Sequence, residues 1–157
     1  NTILVAFTMD QTAGVVRCSD SAGNVYTVEA DLNNGSDLRT VICAAYNVAA
    51  LVNGNTIGVT HPSTSNSRNM SVEQVSGVAA APLDKKTGTT GSSTPPSSGL
   101  TAVTTQANEV VYGVIGHRGL TSEFTAGGGF TGIGASGSSG SWWQCERCKK
   151  AAWYSGR

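Results

Sequence analysis

Four cysteines, two histidines and a terminal group of aromatic rings are the residues of this 157-residue chain whose chemistry reaches beyond packing. Cys145-Glu146-Arg147-Cys148 is a C-x-x-C pair, a spacing that can put two thiolates on one metal ion or hold two thiols ready for redox exchange. A structural zinc ion needs four ligands. The others would have to come from Cys18, Cys43, His61 or His117, and none of these forms a second pair at zinc-knuckle spacing. Redox exchange of the thioredoxin kind calls for a βαβ setting, which the sequence lacks. The pair therefore reads first as thiols or as a structural bridge, with Arg147, Lys149 and Lys150 giving Cys148 a basic setting. Cys18 and Cys43 lie at inward-type positions of expected strands. They are either two small apolar groups in a core or the ends of a bridge, whose loop of about 25 residues would contribute about 3.5 kcal/mol on the chain-entropy account.

His61 and His117 each stand at the end of an expected strand, beside Pro62 and Arg118, where a rim could present a general base. A loop Ser or Asp would be its partner. With 18 serines in the chain, a serine near a histidine carries little information. Ser136, Ser138 and Ser139 in GASGSSGS do not form the G-x-S-x-G elbow of a nucleophile. Both histidines read first as loop residues, and no catalytic set is assigned. Asp20, Asp31, Asp37 and Asp84 could offer oxygens to calcium, but no EF-hand pattern surrounds them and turn chemistry accounts for Asp20. No cofactor is expected, zinc and calcium being the ions that the donor types would admit. Asn34-Gly35-Ser36 and Asn69-Met70-Ser71 match the N-glycosylation acceptor pattern, which is short enough to arise by chance.

Trp142, Trp143, Trp153 and Tyr154 concentrate the aromatic surface at one end of the chain. On an exposed rim such rings stack on sugar faces or anchor a protein interface, because they bury a large area at low conformational cost. Packed inward, they fill space. These four are the expected ligand-binding residues, with a glycan or another protein subunit as partner.

The elements that must position these groups are strands. TILVAFT (2–8) is an apolar run, and 15–30 reads as two alternating strands around the turn Asp20-Ser21-Ala22-Gly23-Asn24. In 38–46, Val41 and Cys43 alternate with Ile42 and Ala44, the pattern of a central strand covered on both faces. VAALVNGN (48–55) has room for one helical turn, and 56–61 and 69–77 resume the period of two. TGTTGSSTPPSSG (87–99) has no apolar residue and two adjacent prolines, and so reads as an exposed loop or rim. LTAVTT (100–105) and EVVYGVIGH (109–117) read as strands, the second of buried type with Val111 inside. Glycine dominates 123–141.

Gly (20), Ser (18) and Thr (18) exceed a third of the chain while charged residues are 13%, a balance common in secreted or surface β-proteins. A domain of this size buries roughly 68–70% of its unfolded surface. Residues 1–140 carry six Lys/Arg against nine Asp/Glu, and 141–157 carry four against one. A mildly acidic body with a short basic tail gives no footprint for nucleic acid. No stretch reaches the ~18 apolar residues of a membrane-spanning helix. Asn1 in place of Met is what a removed signal peptide would leave.

Taken together, VRCSDSAGNVYTVEAD, LRTVICAAYNVAALVNGNTIGVTHP, VEQVSGV, PLDKKTGTTGSSTPPSSG, TTQANEVVYGVIG and FTAGGGFTGIG resemble a widespread class of bacterial secreted or surface β-sandwich domains, over roughly residues 1–135. The resemblance implies an all-β, two-sheet antiparallel β-sandwich, immunoglobulin-like or jelly-roll, with little helix. It also implies an extracellular or cell-surface location and a place inside a larger protein. Such domains close with a Glu-Tyr strand and a Trp strand, which SWWQCERCKKAAWYSGR does not match. Gln74 and Tyr46 stand where the class would have Glu and His. The expected organisation is a sandwich over 1–140 and an aromatic, basic tail over 141–157. The expected function is a non-catalytic binding or structural module for adhesion, glycan attachment or assembly packing. Its alternatives are a small extracellular hydrolase using His61 or His117, and a self-assembling filament or virion subunit that pairs through an unclosed sheet edge.

Overall fold

The described residues form nine strands. The computed structural model describes residues 1–63, 68–93, 95–118, 127–136 and 143–152, with 118, 134–136 and 143–152 described at the level of the backbone. In chain order the strands are β1 (Thr2–Asp10), β2 (Arg17–Asp20), β3 (Tyr26–Asn34), β4 (Leu38–Ala45), β5 (Ile57–Thr60), β6 (Arg68–Val75), β7 (Glu109–Arg118), β8 (Thr131–Ser136) and β9 (Trp143–Ala152). They form a four-stranded sheet A ordered β3-β4-β1-β6, a two-stranded sheet B of β2 and β5, and a three-stranded sheet C ordered β7-β9-β8. Every pairing is antiparallel. The protein is all-β, and among the described residues no helix is long and apolar enough to cross a membrane.

β1 and β4 are the inner strands of sheet A. Their register, Ile3 with Ala45, Val5 with Cys43 and Phe7 with Val41, puts those six residues on one face. With Met9 and Val16 they form the buried core. Cys18 of β2, Ile57 and Val59 of β5, and Leu51 close over that core from sheet B's side. A Cys18–Cys43 disulfide crosses the gap, with Cα atoms 6.3 Å apart. The opposite face of the same strands is covered as well, since Ala6, Thr8 and Ala44 are buried. There β7 passes so close that a Cβ on Gly116 would overlap the Thr40 hydroxyl and the Thr8 methyl, with Leu38 next in line. The uncharged run from Thr2 to Met9 follows from this double coverage.

Local chemistry sets the connections. β3 turns into β4 through Asn34-Gly35, where Gly35 takes φ 61° and the Asp37 N–H donates to the Asn34 carbonyl at 3.3 Å, a turn that favours glycine. A bulge between Val28 and Ala30 shifts the β3 register at Glu29, which bends an edge strand and re-aims a side chain.

Several expectations are corrected. β2 and β3 flank the Asp20 turn as expected but do not pair with each other; the turn carries the chain from sheet B to sheet A. Residues 48–55 make no helical turn, and a tight turn at 53–54, closed by the Asn55 N–H donating to the Val52 carbonyl at 3.0 Å, serves instead. Residues 100–105 form no strand, and Leu100 and Val103 are almost fully exposed; two apolar residues among threonines do not make a face worth burying. Val111 is 38% exposed, because sheet C is small and only one of its faces meets sheet A. Within the tail, β9 pairs with β7 over ten residues and with β8 at Cys145–Lys149. Its charged sequence hides this, since what defines the strand is its backbone ladders.

Two outcomes follow. Cys18→Ala with Cys43→Ala should lower the unfolding free energy by about 3.5 kcal/mol, read from urea midpoints with and without reductant. Reductant should leave the double variant's midpoint unmoved. Gly116→Val should lower it by roughly 1–3 kcal/mol through overpacking, and fluorescence-monitored unfolding will measure it.

Candidate functional site

The backbone places the C-terminal candidates only in part. Trp143 starts β9 in register with Arg118, while Trp142, Trp153 and Tyr154 lie outside the described residues. Cys145 and Cys148 sit three residues apart within β9, opposite Gly116 and Gly113 of β7. An extended strand advances about 3.3 Å per residue, so their Cα atoms are about 10 Å apart, beyond the ~7 Å reach of a disulfide. The C-x-x-C pair is therefore not a bridge within itself.

The histidines are kept apart. His61 stacks on Phe7, ring centroids 5.3 Å apart, and its Nδ1 lies 2.7 Å from the Pro62 carbonyl, so it belongs to the core face of sheet A. His117 follows Gly116 in β7, on the far side of that sheet. The two cannot serve one site. Ser136 ends β8, and Ser138 and Ser139 lie outside the described residues.

The aspartates are occupied by their own surroundings. The Asp20 carboxylate accepts hydrogen bonds from the Ala22 and Asn24 N–H groups, both at 3.0 Å, from Asn24 Nδ2 at 2.7 Å and from Tyr26 Oη at 3.0 Å. Desolvation pushes this carboxyl upward, but the bonds from Asn24, Tyr26 and Ala22 outweigh it and hold it below the usual value. Asn24 also ties the turn to Ala49, donating to its carbonyl and accepting from its N–H. Ser21 Oγ accepts from Asn55 Nδ2 and the Thr56 N–H. The result is one stiff rim built from the 20–26 turn and the 47–56 connection, with Val25 and Val52 exposed on it.

Asp31 receives the Arg39 guanidinium as a two-pronged pair, Nε to Oδ1 at 2.7 Å and a terminal nitrogen to Oδ2 at 2.6 Å. The other terminal nitrogen donates to the Thr12 and Gly14 carbonyls, both at 2.9 Å. The bond to Asp31 raises the Arg39 pKa against the opposing effect of burial.

Residues beyond the sequence candidates gather on sheet A's other face. Glu29, at the bulge, accepts from Tyr46 Oη at 3.1 Å and from Lys86 Nζ at 3.0 Å. Burial first, then the Glu29 charge, pushes the Tyr46 phenol up to about 12. Asn34 Nδ2 donates to the Gly91 carbonyl at 2.9 Å. The 86–91 segment thus follows β3 from Glu29 to Asn34 by side-chain bonds. Further along, Asp84 accepts from Lys85 Nζ at 2.7 Å and from the Thr105 N–H and hydroxyl at 2.6 and 2.8 Å. Glu109 starts β7; desolvation first, then Asp84, raises its carboxyl above the usual value, and its Oε1 is buried without a hydrogen-bond partner among the described residues. Of these, Asp84 is among the sequence candidates and Tyr46 is a departure from the resembled class, whereas nothing in the sequence signals the contacts of Glu29, Asn34 and Lys86, because their partners lie 17 to 57 positions away.

Among the described residues no three His, Cys, Asp or Glu side chains converge as metal ligands. Comparison with known proteins gives no match to a family model, to a curated protein or to a solved structure.

The Asp20 turn makes a pH-dependent prediction. A depressed carboxyl stabilises the fold above its unfolded value near 3.8 and loses that contribution as pH falls through its folded value. Asp20→Asn should therefore be less stable than the parent at pH 7, with the difference vanishing as the pH drops below 3.8; thermal melts across pH 2–7 will check it.

Proposed function

We propose that the protein is a secreted or cell-surface β-sandwich module that binds a glycan or another protein subunit and does not turn it over. In this reading sheet A is the shared leaf, and the smaller sheets are the partners that close on its two faces. One observation carries the proposal: among the described residues, His61, Asp20, Asp31 and Asp84 are separated and engaged internally. His61 is stacked in the core face, Asp20 and Asp31 are held by turn and guanidinium partners, and Asp84 is held by Thr105 and Lys85. What remains for an outside molecule is the rim, the 84–105 loop and the aromatic end of the chain. The buried Cys18–Cys43 bond supports an oxidising compartment. Self-assembly is a second reading, favoured by β6 ending sheet A with no further strand beside it among the described residues.

A glycan array and pull-downs with the intact chain, beside a Trp142, Trp143 and Trp153→Ala variant, test the proposal. Binding by the parent, lost in the variant and without hydrolysis, is the expected result. Turnover of an ester or glycoside panel that His117→Ala abolishes would overturn it. Concentration-dependent growth in light scattering, with no glycan bound, would favour self-assembly.

A further inference from the structure

The topology divides the chain in two. Sheets A and B take every strand from β1 to β6, all within residues 2–75, and sheet C takes β7, β8 and β9, all within 109–152. Among the described residues no ladder joins the two parts. No disulfide within the chain joins them either, because Cys18 and Cys43 are bonded to each other in the first part and the remaining cysteines, Cys145 and Cys148, both belong to the second. The parts are held by the packing of β7 on β4 and of β9 on β1 and β6, with Gly116 seated against Thr8 and Thr40. They are also held by the 76–108 connection, which has no strand or helix across its described residues.

Along that connection, exposure and slack coincide at one place. From Lys86 to Asn108 every described residue is exposed, and from Thr87 to Asn108 no residue is charged. Leu100 and Val103, 97% and 90% exposed, are more open to solvent than any other large apolar side chain among the described residues. The outgoing arm is fastened to β3 by Lys86 on Glu29 and by Asn34 on Gly91, and the Ser98 carbonyl accepts from the Thr87 hydroxyl at 3.1 Å. The next tie is Thr105, whose N–H and hydroxyl donate to Asp84 at 2.6 and 2.8 Å. Between these ties the bonds are local, the Gly99 N–H donating to Ser97 Oγ and the Thr104 hydroxyl to the Gln106 carbonyl. Residues 99–104 therefore run from tie to tie with no described hydrogen bond to a strand. Exposed valines elsewhere lack that freedom. Val52 is pinned in the rim by its N–H on Asn55 Oδ1 and its carbonyl on the Asn55 N–H, and Val25 lies between Asn24, bonded to Asp20, and Tyr26 of β3.

We propose that the Leu100–Thr101 bond is a processing site for an endoprotease with an apolar specificity pocket, and that cutting it turns the chain into a two-part molecule. Such an enzyme holds an extended segment through main-chain hydrogen bonds, as strand addition does, and fills its pocket with one apolar side chain. Exposed loop tips of small and polar residues are where folded proteins are nicked. Water adds across the amide, leaving a carboxylate on Leu100 and an amine on Thr101. The bond lies outside every ladder, so no strand register changes. The cut does remove the tether that gives the two parts a high effective concentration for each other. Sheet C then stays on sheet A through its packing and through Thr105 on Asp84, and it separates on dilution or in weak denaturant as a single chain cannot. Its departure bares the face of sheet A that carries the buried Ala6, Thr8 and Ala44.

Trace chymotrypsin acting on the full-length, oxidised protein under native conditions tests this. The first cut between β1 and β9 should give fragments 1–100 and 101–157 by intact mass. The fragments should run as two bands on a denaturing gel without reductant, yet elute together from a size-exclusion column at high concentration. The urea midpoint of the cut protein should fall below the parent's and rise with protein concentration. Leu100→Asp should slow the cut about tenfold or more, the worth of one leucine's burial in the enzyme's pocket. It should leave the melting temperature unmoved, because the side chain it replaces is 97% exposed, and Leu100→Phe should keep the parent's rate. A first cut elsewhere between β1 and β9, no cut under conditions that digest the reduced and unfolded chain, equal rates for Leu100→Asp and the parent, or fragments that part at once on the column would each overturn the proposal.

Discussion

The covalent link between Cys18 and Cys43 is the constraint on which the arrangement of layers rests. Sheet B is two strands of four residues, and a ladder that short is marginal in water by itself. It gains permanence from being fastened to β4, the most heavily covered strand beside β1. Once Cys18 is fixed over Cys43, Ile57 and Val59 are held above Phe7, Val5 and Val41, and the core of one face is complete. The same bond fixes where β2 ends, and with it the Asp20 turn that sends the chain back to sheet A. Burial of the apolar side chains then acts on a geometry already narrowed by the crosslink, each fully buried Val or Met side chain contributing about 1.5–3 kcal/mol.

Arg39 finishes what the disulfide begins. It lies on the core face of sheet A in register with Met9, at the end where hydrophobic cover gives out. A guanidinium here would be a liability if any of its donors were idle. Its fork meets Asp31 on β3, and its remaining nitrogen takes the carbonyls of Thr12 and Gly14, so the β1–β2 connection is drawn down over the open end. Gly14 has φ 133° and sits against Pro62, where a Cβ would fall 2.6 Å from the ring. The connection can approach the β5–β6 segment this closely only because no side chain stands between them.

β1, β4 and the inward Cys18 and Cys43 are legible in the sequence because double coverage leaves a mark at every position: TILVAFT and TVICAA admit no charged residue at all. β9 is illegible for the opposite reason. WQCERCKKAA carries four charges in ten residues, and its identity as a strand comes from neighbours on both edges, with Gly113, Gly116 and Gly132 opposite its two cysteines. A period-two reading responds to faces and not to edges. It also cannot say which sheet a strand joins, so β2 and β3 look like a hairpin though they belong to different layers. The Asp84–Thr105 contact is hidden for a third reason, since the two residues are joined by a loop whose composition carries no periodicity.

Stability is distributed unevenly in consequence, and the unevenness bears on where binding can occur. β1 and β4 hold the buried apolar groups and the crosslink, and they set the upper limit of local opening energies. Among its described residues the 84–105 loop has no ladder and no buried apolar anchor; it is attached through side-chain hydrogen bonds to Glu29, Asn34 and Asp84. Bonds of that kind are individually worth about 1 kcal/mol, somewhat more where a charge takes part. Loss of any one of them is small against the core, so the loop can shift without disturbing the fold.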